Sequence, residues 1–210
     1  MQISILVLEL IGTVAFAVSG AMVALKKNMD IFGVAILGLT TAVGGGALRD
    51  ILLCNTPPVM FREPVYALLS IFVSVVVFIP QVRHLLTHNH ALYDRMMLVM
   101  DSLGLGIFTV VGINTAYELS HDYTFFLLVV VGTITGVGGG LLRDVMAGNT
   151  PYIFVKHVYA CASAVGAILC AGLYVPLGKA SAMFIGAMTV IIIRLLAAHY
   201  KWSLPHSSEK

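Results

Sequence analysis

The chain has 210 residues, of which 59% are hydrophobic and only 10% charged, and its formal net charge is +2. So much apolar surface cannot be hidden in a water-soluble domain of this size, so an integral membrane protein is expected. The near-neutral balance points to no nucleic acid or other polyanionic partner.

Seven apolar runs of membrane-spanning length follow one another. They are about Ile3–Leu25, Ile31–Leu53, Val65–Val82, Met96–Tyr117, Thr124–Met146, Val158–Val175 and Ser181–Ala198. No Lys or Arg precedes the first run, and it is too long for the apolar part of a signal peptide, so a cleavable signal is not expected. Lys26, Lys27, Arg83, Arg95, Lys156, Lys201 and Lys210 all fall on one side of such a bundle. Arg62 and Lys179 fall on the other, beside Glu63, Glu118 and Asp122. The basic side is expected to be cytoplasmic, which puts the N-terminus outside and the C-terminus inside a cell inner (plasma) membrane.

One phrase is written twice. Residues 41–57 and 135–151 share T-x-V-G-G-G-x-L-R-D-x-x-x-x-N-T-P at an offset of 94. Around it, Glu9, Gly12, Phe16 and Gly20 match Asp101, Gly104, Phe108 and Gly112 at offset 92. Phe61, Val65, Tyr66 and Ala67 match Phe154, Val158, Tyr159 and Ala160 at offset 93. Spans 1–3 and 4–6 therefore read as two copies of one three-helix unit. Three is odd, so the second copy is inverted relative to the first. The expected organisation is residues 1–90 as the first unit, 91–177 as the inverted second, 178–200 as a seventh helix and 201–210 as a cytoplasmic tail.

The triple glycines, Gly44, Gly45 and Gly46 with Gly138, Gly139 and Gly140, lie past the middle of spans 2 and 5. Each Gly costs about 1 kcal/mol relative to Ala inside a helix, so three together predict a kink or a short unwound stretch. Backbone groups freed there must be buried or line water, and the hydroxyls of Thr41 and Thr135, with Thr40 and Thr133, offer further oxygen ligands for an alkali cation. Close helix packing is the competing reading of small residues in a membrane, and it suits Gly12, Gly20, Gly104 and Gly112.

Charges within the spans are costly and usually face an interior or an aqueous path. Glu9 and Arg49 fall at similar depth near the outer face, Asp101 and Arg143 near the inner one. Two related ion pairs, Glu9–Arg49 and Asp101–Arg143, are expected as struts or gates, with Asp50 and Asp144 as alternative partners. Arg194 near the end of span 7 is read either as a pore residue or as a side chain reaching lipid headgroups. Asn55-Thr56-Pro57 and Asn149-Thr150-Pro151 read as helix stops.

His84, His88 and His90 make a loop cluster too loose for a metal site, and Cys54, Cys161 and Cys170 lack paired ligand spacing. No metal site is expected. No nucleophile–base set or phosphate loop is present, so no enzyme and no cofactor are expected.

The doubled G-G-G-x-L-R-D, the K-K-N-M-D-I-F-G turn at Lys26–Gly33 and the 3+3+1 plan resemble the prokaryotic TRIC proteins. These are relatives of the animal trimeric intracellular cation channels, and their bacterial domain is also called a glycine-transporter domain. The resemblance spans roughly residues 5–200. It implies a homotrimer in membrane lipid with one pore per subunit between the kinked spans 2 and 5, and K+ or Na+ as the permeant ion. A transporter of a small zwitterion such as glycine is the alternative. Animal members carry a lysine-containing motif near the first glycine break. Arg49 and Arg143 stand here instead.

Overall fold

The computed structural model describes residues 2–87, 89–155 and 158–202. His88, Lys156 and Lys210 lie outside the described residues. All the elements described are helices: α1 Gln2–Lys26, α2 Ile31–Leu52, α3 Val59–Arg62, α4 Val65–Phe78, α5 Pro80–Thr87, α6 His90–Leu119, α7 Phe125–Met146, α8 Tyr152–Val155, α9 Tyr159–Leu177 and α10 Lys179–His199.

Their starts are written in the sequence. Asp30 caps α2 by accepting the Gly33 N–H at 2.7 Å, Asn89 caps α6 through the N–H groups of Ala91 and Leu92, and Thr124 caps α7 through that of Leu127. Both N-T-P sequences lie just past a helix end, after Leu52 and after Met146.

Among the described residues, six helices are long and apolar enough to cross a membrane. With α4 and α5 taken as one bent span there are up to seven, as the sequence leads one to expect. The run read as one span from Val65 to Val82 is bent by 79° between α4 and α5. Pro80 opens α5, and the residue before a proline is driven out of the helical region; Ile79 is extended there. At about 1.5 Å per residue α4 spans only about 21 Å, and α5 turns aside. Span 4 is longer than read, because α6 begins at His90 rather than Met96, so His84 and His90 sit on helices and not in a loop.

Helices α1, α2 and α4 form the first unit, and α6, α7 and α9 repeat it upside down. The short α3 and α8 correspond, while α5 and α10 stand outside the repeat. We call the side holding the start of α1 and the ends of α2 and α6 the first face, and the side holding the end of α10 the second face.

Large apolar side chains ring the outside: Phe32, Phe72, Phe126, Val175 and Phe184 are all exposed. In water such a surface would be a liability; in lipid it is the solvent-facing layer. Polar side chains turn inward instead, and Arg49, Asp50, Asp101, Arg143, Asp144 and Arg194 are all buried. The chain is a multi-pass membrane protein.

Candidate functional site

The two halves meet where α2 crosses α7. A Cβ on Gly45 would strike the carbonyl oxygen of Thr135, and one on Gly139 would strike the carbonyl oxygen of Thr41. Beside them, a Cβ on Gly44 would lie 2.6 Å from Leu142, and one on Gly138 would lie 3.0 Å from Leu48. Each contact is the other's copy at offset 94, so an internal two-fold passes through this crossing. The helices touch backbone to backbone because nothing projects from the glycines.

Of the kink or short unwound stretch expected at the glycines, the unwound stretch is not formed. Both α2 and α7 are continuous helices through their triple glycines. The hydroxyl hydrogens of three of the threonines are spent within their own helices, which leaves the oxygen lone pairs unassigned. Thr41 donates to the Leu37 carbonyl and Thr135 to that of Val131, each at 2.6 Å, and Thr133 donates to that of Val129 at 2.7 Å. With both helices continuous, the backbone oxygens at the glycines are not freed, because close packing of the seam outweighs the intrinsic cost of glycine in a helix.

Phe16 and Phe108, matched in the repeat, meet in the centre with ring centroids 5.3 Å apart. Phe16 fills the notches at Gly104 and Gly139, and Phe108 lies 3.2 Å from where a Cβ on Gly12 would sit. This pair packs beside the α2–α7 crossing.

At the first face, Arg49 Nε donates to Oδ1 of its own neighbour Asp50 at 2.9 Å, and Arg49 Nη1 donates to Thr115 of α6 at 3.1 Å. Asp50 Oδ2 accepts the Val59 N–H at 2.8 Å, tying the start of α3 to the end of α2. The expected Glu9–Arg49 ion pair is not made. Glu9 instead accepts the Tyr66 hydroxyl at 2.5 Å. Glu9, Thr13, Gly46, Arg49, Asp50 and Tyr66 line a cavity of about 50 Å³ with Phe108 at its floor.

At the second face the same phrase is built further. Arg143 Nε donates to Asp144 Oδ1 at 2.8 Å, and Asp144 Oδ2 accepts the Tyr152 N–H at 2.9 Å. Here the expected Asp101–Arg143 pair is made: Arg143 Nη1 donates to Asp101 Oδ1 at 2.6 Å and to Ser19 Oγ at 2.5 Å. Arg194 of α10 does not reach for headgroups. It is buried, 3.9 Å from Asp101 Oδ2, with its guanidinium 4.7 Å from the centroid of the Tyr159 ring. Asp94, Met97, Asp101, Tyr152 and Arg194 border a cavity of about 320 Å³.

Four residues escaped the sequence reading of the site: Ser19, Thr115, Tyr66 and Tyr159. The signal for the tyrosines was present, since both lie in the matched F-x-x-x-V-Y-A stretch. Ser19 and Thr115 have no such mark, because they are not copies of one another.

A helical bundle with an inverted repeat about a glycine-packed crossing, and buried charge at either end of it, defines a polytopic membrane protein of the inverted-repeat class. The sequence pattern of the family described as "Glycine transporter" matches residues 6–81 and again residues 98–175. The chain is 37% identical over 202 residues to the UPF0126 inner membrane protein YadS of Escherichia coli (strain K12), covering 94% of this chain and 93% of that one. A solved structure explaining conductance through TRIC cation channels shares 34% identity at a TM-score of 0.85, with 97% of each chain covered. The trimeric intracellular cation channel orthologue from Rhodobacter sphaeroides shares 31% identity at a TM-score of 0.83, covering 95% of this chain and 99% of its own. The chain belongs to the prokaryotic TRIC family.

Proposed function

We propose that the chain is a cation channel. In this reading it assembles as a homotrimer, each subunit holds its own pore along the α2–α7 crossing, and K+ or Na+ is the permeant ion. The observation that carries the reading is the placement of two buried charge clusters at opposite ends of one glycine-packed crossing, related by the internal two-fold. Buried ionisable groups in membrane helices are expensive, and they mark paths through the bundle. The first-face cluster sets Arg49 against the two carboxylates of Asp50 and Glu9, so its formal charge favours a cation. The family relatives described as TRIC cation channels support the same reading.

The path is shut in its middle by the Gly45–Gly139 contact and by Phe16 and Phe108, so conduction requires α2 and α7 to part. The clusters act as gates, because each ties the end of α2 or α7 to a neighbouring helix. Lys26, Lys27, Arg83, Arg95 and Lys201 all lie on the second face, and this excess of basic residues supports a cytoplasmic orientation for it.

The test is a planar bilayer under a KCl gradient. Discrete currents reversing near the K+ equilibrium potential are expected. Silence from folded, inserted protein, with saturable uptake of labelled glycine in vesicles, would overturn the channel and install a zwitterion transporter. Chemical cross-linking in native membranes checks the trimer.

A further inference from the structure

The internal two-fold maps Glu9, Arg49, Asp50 and Tyr66 onto Asp101, Arg143, Asp144 and Tyr159. The two sets hold different partners. On the first face the acid sits on the tyrosine, Glu9 on Tyr66 at 2.5 Å, and the arginine has left it for Thr115. On the second face the acid sits on the arginine, Asp101 on Arg143 at 2.6 Å. There the buried Tyr159 hydroxyl has no hydrogen-bond partner among the described residues, and Asp101 Oδ2 accepts no hydrogen bond.

A buried hydroxyl and a buried carboxylate oxygen left unmatched are costly, and the first face shows how they would be matched. What differs is Arg194, which comes from α10, outside the repeat. Its guanidinium lies over the Tyr159 ring and near Asp101 Oδ2, between the two groups that pair on the other face.

We infer that the second-face cluster is a two-state latch, in which Tyr159 is the alternative partner of Asp101 and Arg194 is the positioning residue that holds Asp101 on Arg143. In the closed state Asp101 bridges α6 to α7 through Arg143. In the released state Asp101 turns to Tyr159 of α9, and Arg143 keeps only Asp144 and Ser19, as Arg49 keeps only Asp50 and Thr115. The end of α7 is then untied from α6. Gly140 gives the hydroxyl its room, since a Cβ there would lie 2.7 Å from it. The latch rests on the channel reading for its electrical consequence, not for the exchange of partners.

The test uses the full-length protein and three variants. In an experimental structure of Arg194→Gln, the Tyr159 hydroxyl is expected to donate to Asp101. In bilayers this variant is expected to raise open probability by about tenfold, the factor that about 1.4 kcal/mol makes and within the range of one net hydrogen bond. Arg194→Lys, which keeps the charge, restores the closed bias. Tyr159→Phe removes only the unpartnered hydroxyl and its burial cost, so it maintains or raises thermal stability, lowers open probability, and cancels the effect of Arg194→Gln when combined with it. Asp101 still on Arg143 in Arg194→Gln, or an Arg194→Gln effect that survives Tyr159→Phe, would overturn the latch. If the wild type passes no current at all, the channel reading fails, and the partner of Asp101 in Arg194→Gln still decides the latch.

Discussion

The first-face and second-face clusters are written with one phrase and end in different environments. In both, the arginine pairs with the aspartate that follows it, and that aspartate caps the backbone beyond the N-T-P turn. These contacts reach only to near neighbours in the chain, so a duplicated sequence must reproduce them. The remaining partners come from other helices, and there the symmetry fails. Arg49 keeps 6% of its surface exposed beside a small cavity, whereas Arg143 is wholly buried among two carboxylates, Ser19 and the Tyr152 ring. The contrast shows that a repeat specifies its local geometry twice, while the tightness of each cluster is set by the partners that other helices bring to it.

The harshest way to probe that contrast is to remove each arginine. Arg143→Ala leaves Asp101 and Asp144 buried with an ion partner gone, a loss of about 3–5 kcal/mol by analogy with other buried pairs. Arg49→Ala exposes Asp50 to a cavity that can take up water, and Glu9 is already satisfied by Tyr66, so about 1–2 kcal/mol is expected. Thermal unfolding of the detergent-solubilised variants should therefore separate them widely, and Arg49→Ala should still assemble while its single-channel current changes. Equal losses of stability would mean that the two faces are equivalent after all.

Removing the glycine contacts should act equally on both halves. Gly45→Ala and Gly139→Ala each push a methyl into the carbonyl of the facing threonine, which is backbone and cannot yield. Overpacking of this kind costs about 1–3 kcal/mol. Both variants should unfold at similar, lowered temperatures. A large difference between them would show that the internal two-fold does not hold at the crossing.

These comparisons also show what the sequence could convey. The inverted unit, the crossing helices and the Asp101–Arg143 pair were legible, because each rests on spacing within or between exact repeats. The Glu9–Arg49 pair was misread. Depth along two helices was matched correctly, but depth does not say which way a side chain turns, and Tyr66 took the acid. Of the kink or unwound stretch expected at the triple glycines, the unwound alternative fails for a related reason. Helix propensity is a local quantity of about 1 kcal/mol per residue, and the neighbour that overrides it lies 94 residues away. The bend after Phe78 had a visible cause in Pro80, but the apolar run on both sides of it masked the signal.

The tyrosines offer a smaller and more discriminating contrast. Tyr66→Phe breaks the hydrogen bond to Glu9 and should cost about 1–2 kcal/mol, since the acceptor is a carboxylate. Tyr159→Phe breaks none. Apparent midpoints measured side by side should drop for Tyr66→Phe alone. A matching drop in both would show that Tyr159 has a partner in the folded protein.

The smallest effect is expected at the third glycine of each triplet, and its sign distinguishes the faces. A methyl on Gly46 would meet only Arg49 Nη2 at 3.7 Å, an ordinary contact. Gly46→Ala should therefore gain some of the roughly 0.4–1 kcal/mol that alanine offers over glycine in an unstrained helix. A methyl on Gly140 would meet the Tyr159 hydroxyl at 2.7 Å as well as Arg143 Nη2 at 3.6 Å. The tyrosine is held on its other side by the Arg194 guanidinium, so it cannot retreat without disturbing the cluster. Gly140→Ala should then gain nothing or lose stability, although the two positions are copies of one another in sequence. The pair of thermal midpoints checks this: a rise for Gly46→Ala with none for Gly140→Ala locates the asymmetry at Tyr159, whereas a rise in both would mean that the hydroxyl moves freely and that α10 does not hold it.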